Sequence, residues 1–243
     1  MGLYALSTDA IGQPLLKSSA TQIHPLGTVV RDQGGRIFRY CLSGVTQTVG
    51  HVLQAAAQVG DHQNLTPTVT TYGAIGDTTI VATLAGTAVA AANLYADGYA
   101  LIDTTPGLGY MYRIIQHAAV LGGGVITITL DPTTPIQVAL TASSRVSLVQ
   151  HPYKYVVQSP TTATNVIVGV SIFPITNGEY GWIQTGGVAG VLTYGTIAIG
   201  LPVGYCTTAG TCTVSTGATA PIGRIMQTAT AGRVQPVMLN IDS

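Results

Sequence analysis

The charged residues that favour helices are almost absent from this sequence. Of its 243 residues one is Glu and two are Lys, whereas 35 are Thr, 12 are Tyr, and Val and Ile are abundant. β-Branched and aromatic side chains lose rotamer freedom in a helix but fit a pleated, half-buried surface. The chain is therefore expected to fold as sheet.

The local pattern agrees. Gly27 to Arg31 and Arg36 to Cys41 flank Asp32-Gln33-Gly34-Gly35, where the glycine pair offers the positive φ of a tight turn, with Ile37 and Phe38 alternating faces around the arginines. Residues 49–58 read as a short helix or a strand. Strand-like runs follow at Thr78–Leu84, Tyr99–Asp103, Tyr110–Ile115, Val125–Leu130 and Arg145–Val149. Asp97-Gly98, Pro106-Gly107-Leu108-Gly109 and Gly122-Gly123-Gly124 punctuate them. Beyond a crossover at His151-Pro152-Tyr153, a second set comprises Asn165–Phe173, Tyr180–Thr185, Val188–Tyr194, Thr211–Ser215, Ile222–Thr228 and Arg233–Ile241, with a turn expected at Gly186-Gly187. The expectation is an all-β fold. A β-barrel-like domain of residues 1–65 and 151–243 is interrupted by an inserted small β-domain at 66–150.

Charge is scarce. Nine Lys+Arg balance nine Asp+Glu, 7% of the residues, against about 25% in an ordinary soluble domain. A mean hydropathy of +0.42 with zero formal charge is the opposite of a disordered composition. Scattered cations leave no basic stripe for phosphate, so no nucleic-acid partner is expected. No membrane partner is expected either, because the uncharged stretches Thr78 to Ala96 and Tyr180 to Gly223 are broken by Thr, Gly and Pro. The N-terminal residues lack the basic and long apolar regions of a signal peptide.

Candidates for chemistry are few. There is no nucleophile elbow and no phosphate-binding loop, and Gly107-Leu108-Gly109 reads as a turn. Asp61-His62, with His51 upstream, is the nearest approach to a metal or acid–base site, but such a site needs three or four converging ligands, so loop polarity is the preferred reading. Asp97, Asp103, Arg113 and His117 group in the middle of the chain, with Asp103 and Arg113 expected as a cross-strand ion pair. Glu179 has no carboxylate partner nearby in sequence. Cys206 and Cys212 flank a loop that could bring their sulfurs together, as a disulfide or as two thiols. Asn64-Leu65-Thr66 fits a glycosylation acceptor, but without a secretory signal the match is empty. The chain is expected to be no enzyme and to need no cofactor or metal.

Several segments together resemble a group of tailed-bacteriophage virion proteins: Asp61-His62-Gln63-Asn64-Leu65, Ala91 to Tyr99 through Gly107-Leu108-Gly109-Tyr110, Ile128 to Pro132, Tyr180 to Thr185 and Pro236 to Asp242. The final third, with Val168-Gly169-Val170 and Ile222-Gly223, is also similar to phage head-decoration, or cement, barrels. The resemblance implies a capsid protein seated between major capsid subunits on the virion surface, made in the host cytoplasm. A tail, spike or fibre component contacting the host is the alternative. A charge-poor surface favours self-association, expected as a trimer. Tyr95, Tyr99, Tyr110, Tyr112, Tyr180 and Trp182 are the candidate contact residues, because Tyr and Trp supply large rigid area at modest entropic cost. For Trp182 a place in the core is an equal expectation.

Overall fold

The computed structural model describes residues 3–4, 12–68, 72–217 and 219–242. Among them the chain is 38% strand with no α-helix, in two curled antiparallel sheets that form half-barrels. A 3-10 turn spans Gly60–His62. The chain divides into two compact units, one from residues 1–57 and 152–243 and one from Gln58–His151.

The 58–151 unit contains β5 (Thr66–Pro67), β6 (Thr79–Thr83), β7 (Tyr99–Ile102), β8 (Met111–His117), β9 (Val125–Leu130) and β10 (Val146–Val149). They lie in the order β10-β7-β8-β9-β6-β5, each pair antiparallel. Burial alternates along the longer strands, interrupted in β8 at Ile115-Gln116, where the register shifts. Ile126, Ile128 and Leu130 point inward with Ile80, Ala100, Ile114 and Val146, while Val125, Thr127, Met111 and Arg113 point out. Period-two alternation is what a sheet with one wet face requires.

Leu65 exchanges two backbone hydrogen bonds with Val146, at 2.8 and 2.9 Å, so the segment leading into β5 also meets β10 and the curled sheet is bridged across its open side. The unit thus begins before residue 66. Leu65 is part of its core, and His62 is fully buried. At the neck, the Gln150 N–H donates to Gln58 Oε1 at 3.1 Å.

The other unit holds β1 (Leu3–Tyr4), β2 (Val29–Arg31), β3 (Ile37–Leu42), β4 (Val52–Gln54), β11 (Val157–Gln158), β12 (Ile167–Ser171), β13 (Tyr180–Leu192), β14 (Pro202–Tyr205), β15 (Cys212–Val214), β16 (Gly223–Ile225) and β17 (Val234–Asn240). Its main path runs β1-β2-β3-β13-β17-β16-β14-β15, with β4, β11 and β12 attached beside it. The ambiguous 49–58 run resolves as strand at 52–54.

β2 and β3 form the expected hairpin, although only Gly35 of the glycine pair has positive φ. β3 alternates faces, but burial does not alternate along it. Phe38 and Tyr40 pack with Trp182 while Cys41 packs with Ile183 and Leu53, so both faces are covered. Arg39 is held by Asp242 at 2.5 Å and donates to the Gly27 carbonyl at 2.9 Å.

The turn expected at Gly186-Gly187 is instead the interior of one 13-residue strand, β13. Gly186 pairs with both Ile37 and Asn240, which makes it the point where β13 passes from β3 to β17. The glycines are needed for clearance. A Cβ on Gly187 would lie 2.9 Å from Arg36 Cα, and its φ is +75°. The positive φ thus serves a bulge beside the β2–β3 turn, where the register shifts, and the strand continues.

Candidate interaction surfaces

Burial divides the six aromatic candidates. Trp182 (0% exposed), Tyr95 (1%) and Tyr112 (3%) belong to cores and present no contact surface. Trp182 meets Tyr40 edge-on at 5.0 Å and His24 at 5.4 Å. The Tyr112 hydroxyl accepts the Gln137 N–H at 3.1 Å, and its ring stacks on Tyr110 at 6.1 Å. The hydroxyls of Tyr95 and Tyr112 find partners inside the fold, which is why a Tyr-rich stretch did not become a Tyr-rich surface. Of the six, Tyr110 alone is exposed, at 41%, while Tyr99 and Tyr180 are half-buried, the latter stacked on Tyr40 at 6.0 Å.

The polar candidates are also re-sorted. Asp61 is a loop organiser, since its carboxylate accepts the N–H groups of Thr87 and Ala88 at 3.0 Å each. His62 beside it is buried and bonds to the Tyr95 hydroxyl at 2.5 Å, so surface polarity is not its role. Arg113 does not pair with Asp103. Register places it opposite Tyr99, and it reaches Asp97 at 2.7 Å and Asp131 at 3.5 Å. Asp103 instead accepts the Ser147 hydroxyl at 2.5 Å. Glu179 accepts the Ser18 hydroxyl. Among the described residues no three His, Cys, Asp or Glu side chains converge as a metal site.

The β14–β15 register sets Tyr205, and not Cys206, opposite Cys212, and all three cysteines are buried free thiols. Burial pushes the Cys41 and Cys212 thiols up to about 12. Thiolate is the reactive form. Native protein is therefore expected to react with a thiol-specific disulfide reagent at Cys41 and Cys212 orders of magnitude more slowly than urea-unfolded protein. Rapid native labelling of either would contradict their burial.

Beside β4, the His51 imidazole lies below its ordinary value of 6.5 because burial disfavours its charge, against a hydrogen bond with Gln158 that favours it. The unfolded chain thus takes up the proton more readily. The His51 contribution to stability is present above the ordinary imidazole value and is lost as pH falls through the lower folded one. Urea midpoints of this unit should decline over that acid range, and His51→Asn should flatten the decline.

An open sheet face is the surface that sequence reasoning missed. In the second half of β13 and along β17 and β16, Val188, Val234, Met238 and Met226 are each between 42% and 49% exposed. Register sets them in rows: Val188 beside Met238 beside Arg224, Gly190 beside Pro236, and Leu192 beside Val234. Arg224 is the only charge on these rows, and it donates to the Gly200 carbonyl at 3.1 Å. A groove of about 500 Å3 runs over Pro202, Pro221, Arg224, Met238 and Asn240. A sequence signal existed. Val234, Pro236, Met238 and Asn240 share one parity of a strand and carry no charge, where a wet face normally would.

No helix of the described residues is long and apolar enough to cross a membrane. Comparison with protein-family models, curated proteins and solved structures found no match.

Proposed function

We propose that this chain is a non-enzymatic structural protein of a tailed-phage virion, a decoration protein that binds the major capsid protein and its own copies, as a trimer, on the capsid surface. The observation that carries the reading is the outer face of β13, β17 and β16, whose rows carry one charge, Arg224. It is a hydrogen-bonded sheet presenting Val188, Val234, Met226 and Met238 half exposed. A protein with eighteen charged residues in all (nine plus nine) has little polar surface to spend, and contiguous apolar area marks interfaces. The sequence resemblance supplies the partner, and the hydrogen-bonded sheet fits a static contact.

The test is co-sedimentation with particles lacking the protein, together with sedimentation velocity of the free protein. Val188→Asp with Met238→Asp, both at exposed positions, should leave the circular dichroism spectrum unchanged and weaken particle binding at least about thirtyfold, the equivalent of ~2 kcal/mol at a central contact. Undiminished binding by the variant would remove this face from the interface. Wild-type protein that ignores particles and adheres to host cells would move the reading to a tail or spike component.

A further inference from the structure

We infer that Asn177 is the site at which this protein deamidates spontaneously, and that the hydrogen bond from the Gly178 N–H to the Ser43 carbonyl is the lock that holds the reaction off while the turn is closed. The inference stands on the sequence and on the hydrogen bonds of one turn, and does not depend on the virion reading.

Deamidation needs a backbone nitrogen that can reach the asparagine side chain. The nitrogen of the following residue loses its proton to base and attacks the side-chain carbonyl carbon. A new N–C bond closes a succinimide ring, and the bond from that carbon to the side-chain nitrogen breaks as ammonia leaves. Water then opens the ring at either carbonyl, giving aspartate or isoaspartate. A bulky side chain on the following residue hinders the attack. Of the five asparagines, Asn64 and Asn93 precede Leu, Asn165 precedes Val, Asn240 precedes Ile, and Asn177 alone precedes Gly. Glycine has no Cβ to stand in the way and the widest choice of backbone angles.

The site lies in the turn that leads into β13. The Glu179 N–H donates to the Thr176 carbonyl at 3.1 Å, and Gly178 takes φ +80°, as a glycine in the third position of a type II turn does. Asn177 is exposed, so burial does not keep water or hydroxide from it. What the fold withholds is the nucleophile. The Gly178 N–H donates to the Ser43 carbonyl at 2.9 Å, and the Ser43 N–H donates back to the Glu179 carbonyl at 2.9 Å. Ser43 is 0% exposed, and the Gln47 N–H donates to the Ile175 carbonyl at 2.8 Å, so the turn is tied to residues 43–47 on both sides. While its bond to Ser43 stands, the Gly178 nitrogen keeps its proton and is not a nucleophile.

Opening the turn is reversible, but the reaction it permits is not. Isoaspartate lengthens the backbone inside the turn by one CH2 group, which displaces Gly178 and Glu179 from their places opposite Ser43. Either product sets a carboxylate two residues from that of Glu179 and makes a chain of zero formal charge negative by one unit.

The experiment holds full-length protein in one mildly alkaline buffer, folded or unfolded in guanidinium chloride, and follows each asparagine by peptide mass spectrometry. In the unfolded chain Asn177 should react before the other four. Folding should slow it at least about tenfold, since local opening must come first. Hydrogen exchange at the Gly178 amide begins with loss of the same proton to the same base. Folding should therefore slow exchange and deamidation by the same factor, to within about threefold. Asn177→Gln, run on the unfolded chain so that its folding is immaterial, should lose the early acidic band in isoelectric focusing. Deamidation of the folded protein at the unfolded rate overturns the inference. So does slowing far beyond the exchange protection, which would place the brake in the shape of the turn and not in the bond to Ser43. An earlier reaction at another asparagine, or an acidic band that persists in Asn177→Gln, removes Asn177 as the site.

Discussion

Replacing Trp182 by alanine is expected to destabilise the unit of residues 1–57 and 152–243 by about 3–5 kcal/mol, the usual cost of deleting a buried aromatic. The indole is 0% exposed and packs against Tyr40 and His24, in a cluster that also takes in Phe38, Leu26 and Val30. Truncation removes this contact area, and the strands around it, paired to β3 and β12, are too constrained to collapse into the void. Trp182→Phe should cost clearly less, since Trp182 Nε1 has no hydrogen-bond partner among the described residues to be lost. Urea unfolding followed by far-ultraviolet circular dichroism measures both. A W182A protein of wild-type stability that had lost only particle binding would return Trp182 to the interface.

Gly98→Ala should be among the most damaging changes of a single methyl group in the 58–151 unit. A Cβ there would lie 2.2 Å from the Val149 carbonyl oxygen, 3.0 Å from that of Tyr95 and 3.1 Å from the His151 amide nitrogen, all backbone atoms. No rotamer relieves such a contact, so β7 and β10 must separate at Tyr99 and Val149, where they pair. The expected cost is about 3 kcal/mol, at the upper end for an overpacked site. Peptides covering 99–102 and 146–149 should lose hydrogen-exchange protection, with those from β13 and β17 unchanged. Full protection in the variant would show that the chain can open this approach without cost.

Both residues illustrate what could be read beforehand. Long runs of alternating character were legible: Val125–Leu130 is a strand over the expected residues, and the hairpin at 27–41 forms. Alternation is local, so it survives without knowledge of partners. β4, β5, β11 and β14 were not legible, because strands of two to four residues exist only through the distant strands they pair with. Gly186-Gly187 misled for a related reason. A glycine pair signals positive φ or close approach, and only the packed structure says whether the chain turns or another strand passes. The contact residues were obscured most. Tyr95 turns inward to His62, which takes its hydroxyl from far away in sequence, whereas Tyr110 stays at the surface stacked on Tyr112. The open face lay in Val and Met, residues that composition assigns to cores.

The bond from the Gln150 amide to the Gln58 side chain brings together the two ends of the 58–151 unit. Such a unit is a cassette. Gaining or losing it changes the spacing along the host chain but asks no strand of the host sheet to shift its register, because the two host segments join to the insert where its own ends already meet. Related chains could carry a different module, or none, between positions equivalent to Ala57 and Pro152 and keep the sheet of β13 and β17 as it is. The modular part would then be free to vary under selection while the sheet stayed bound to its role.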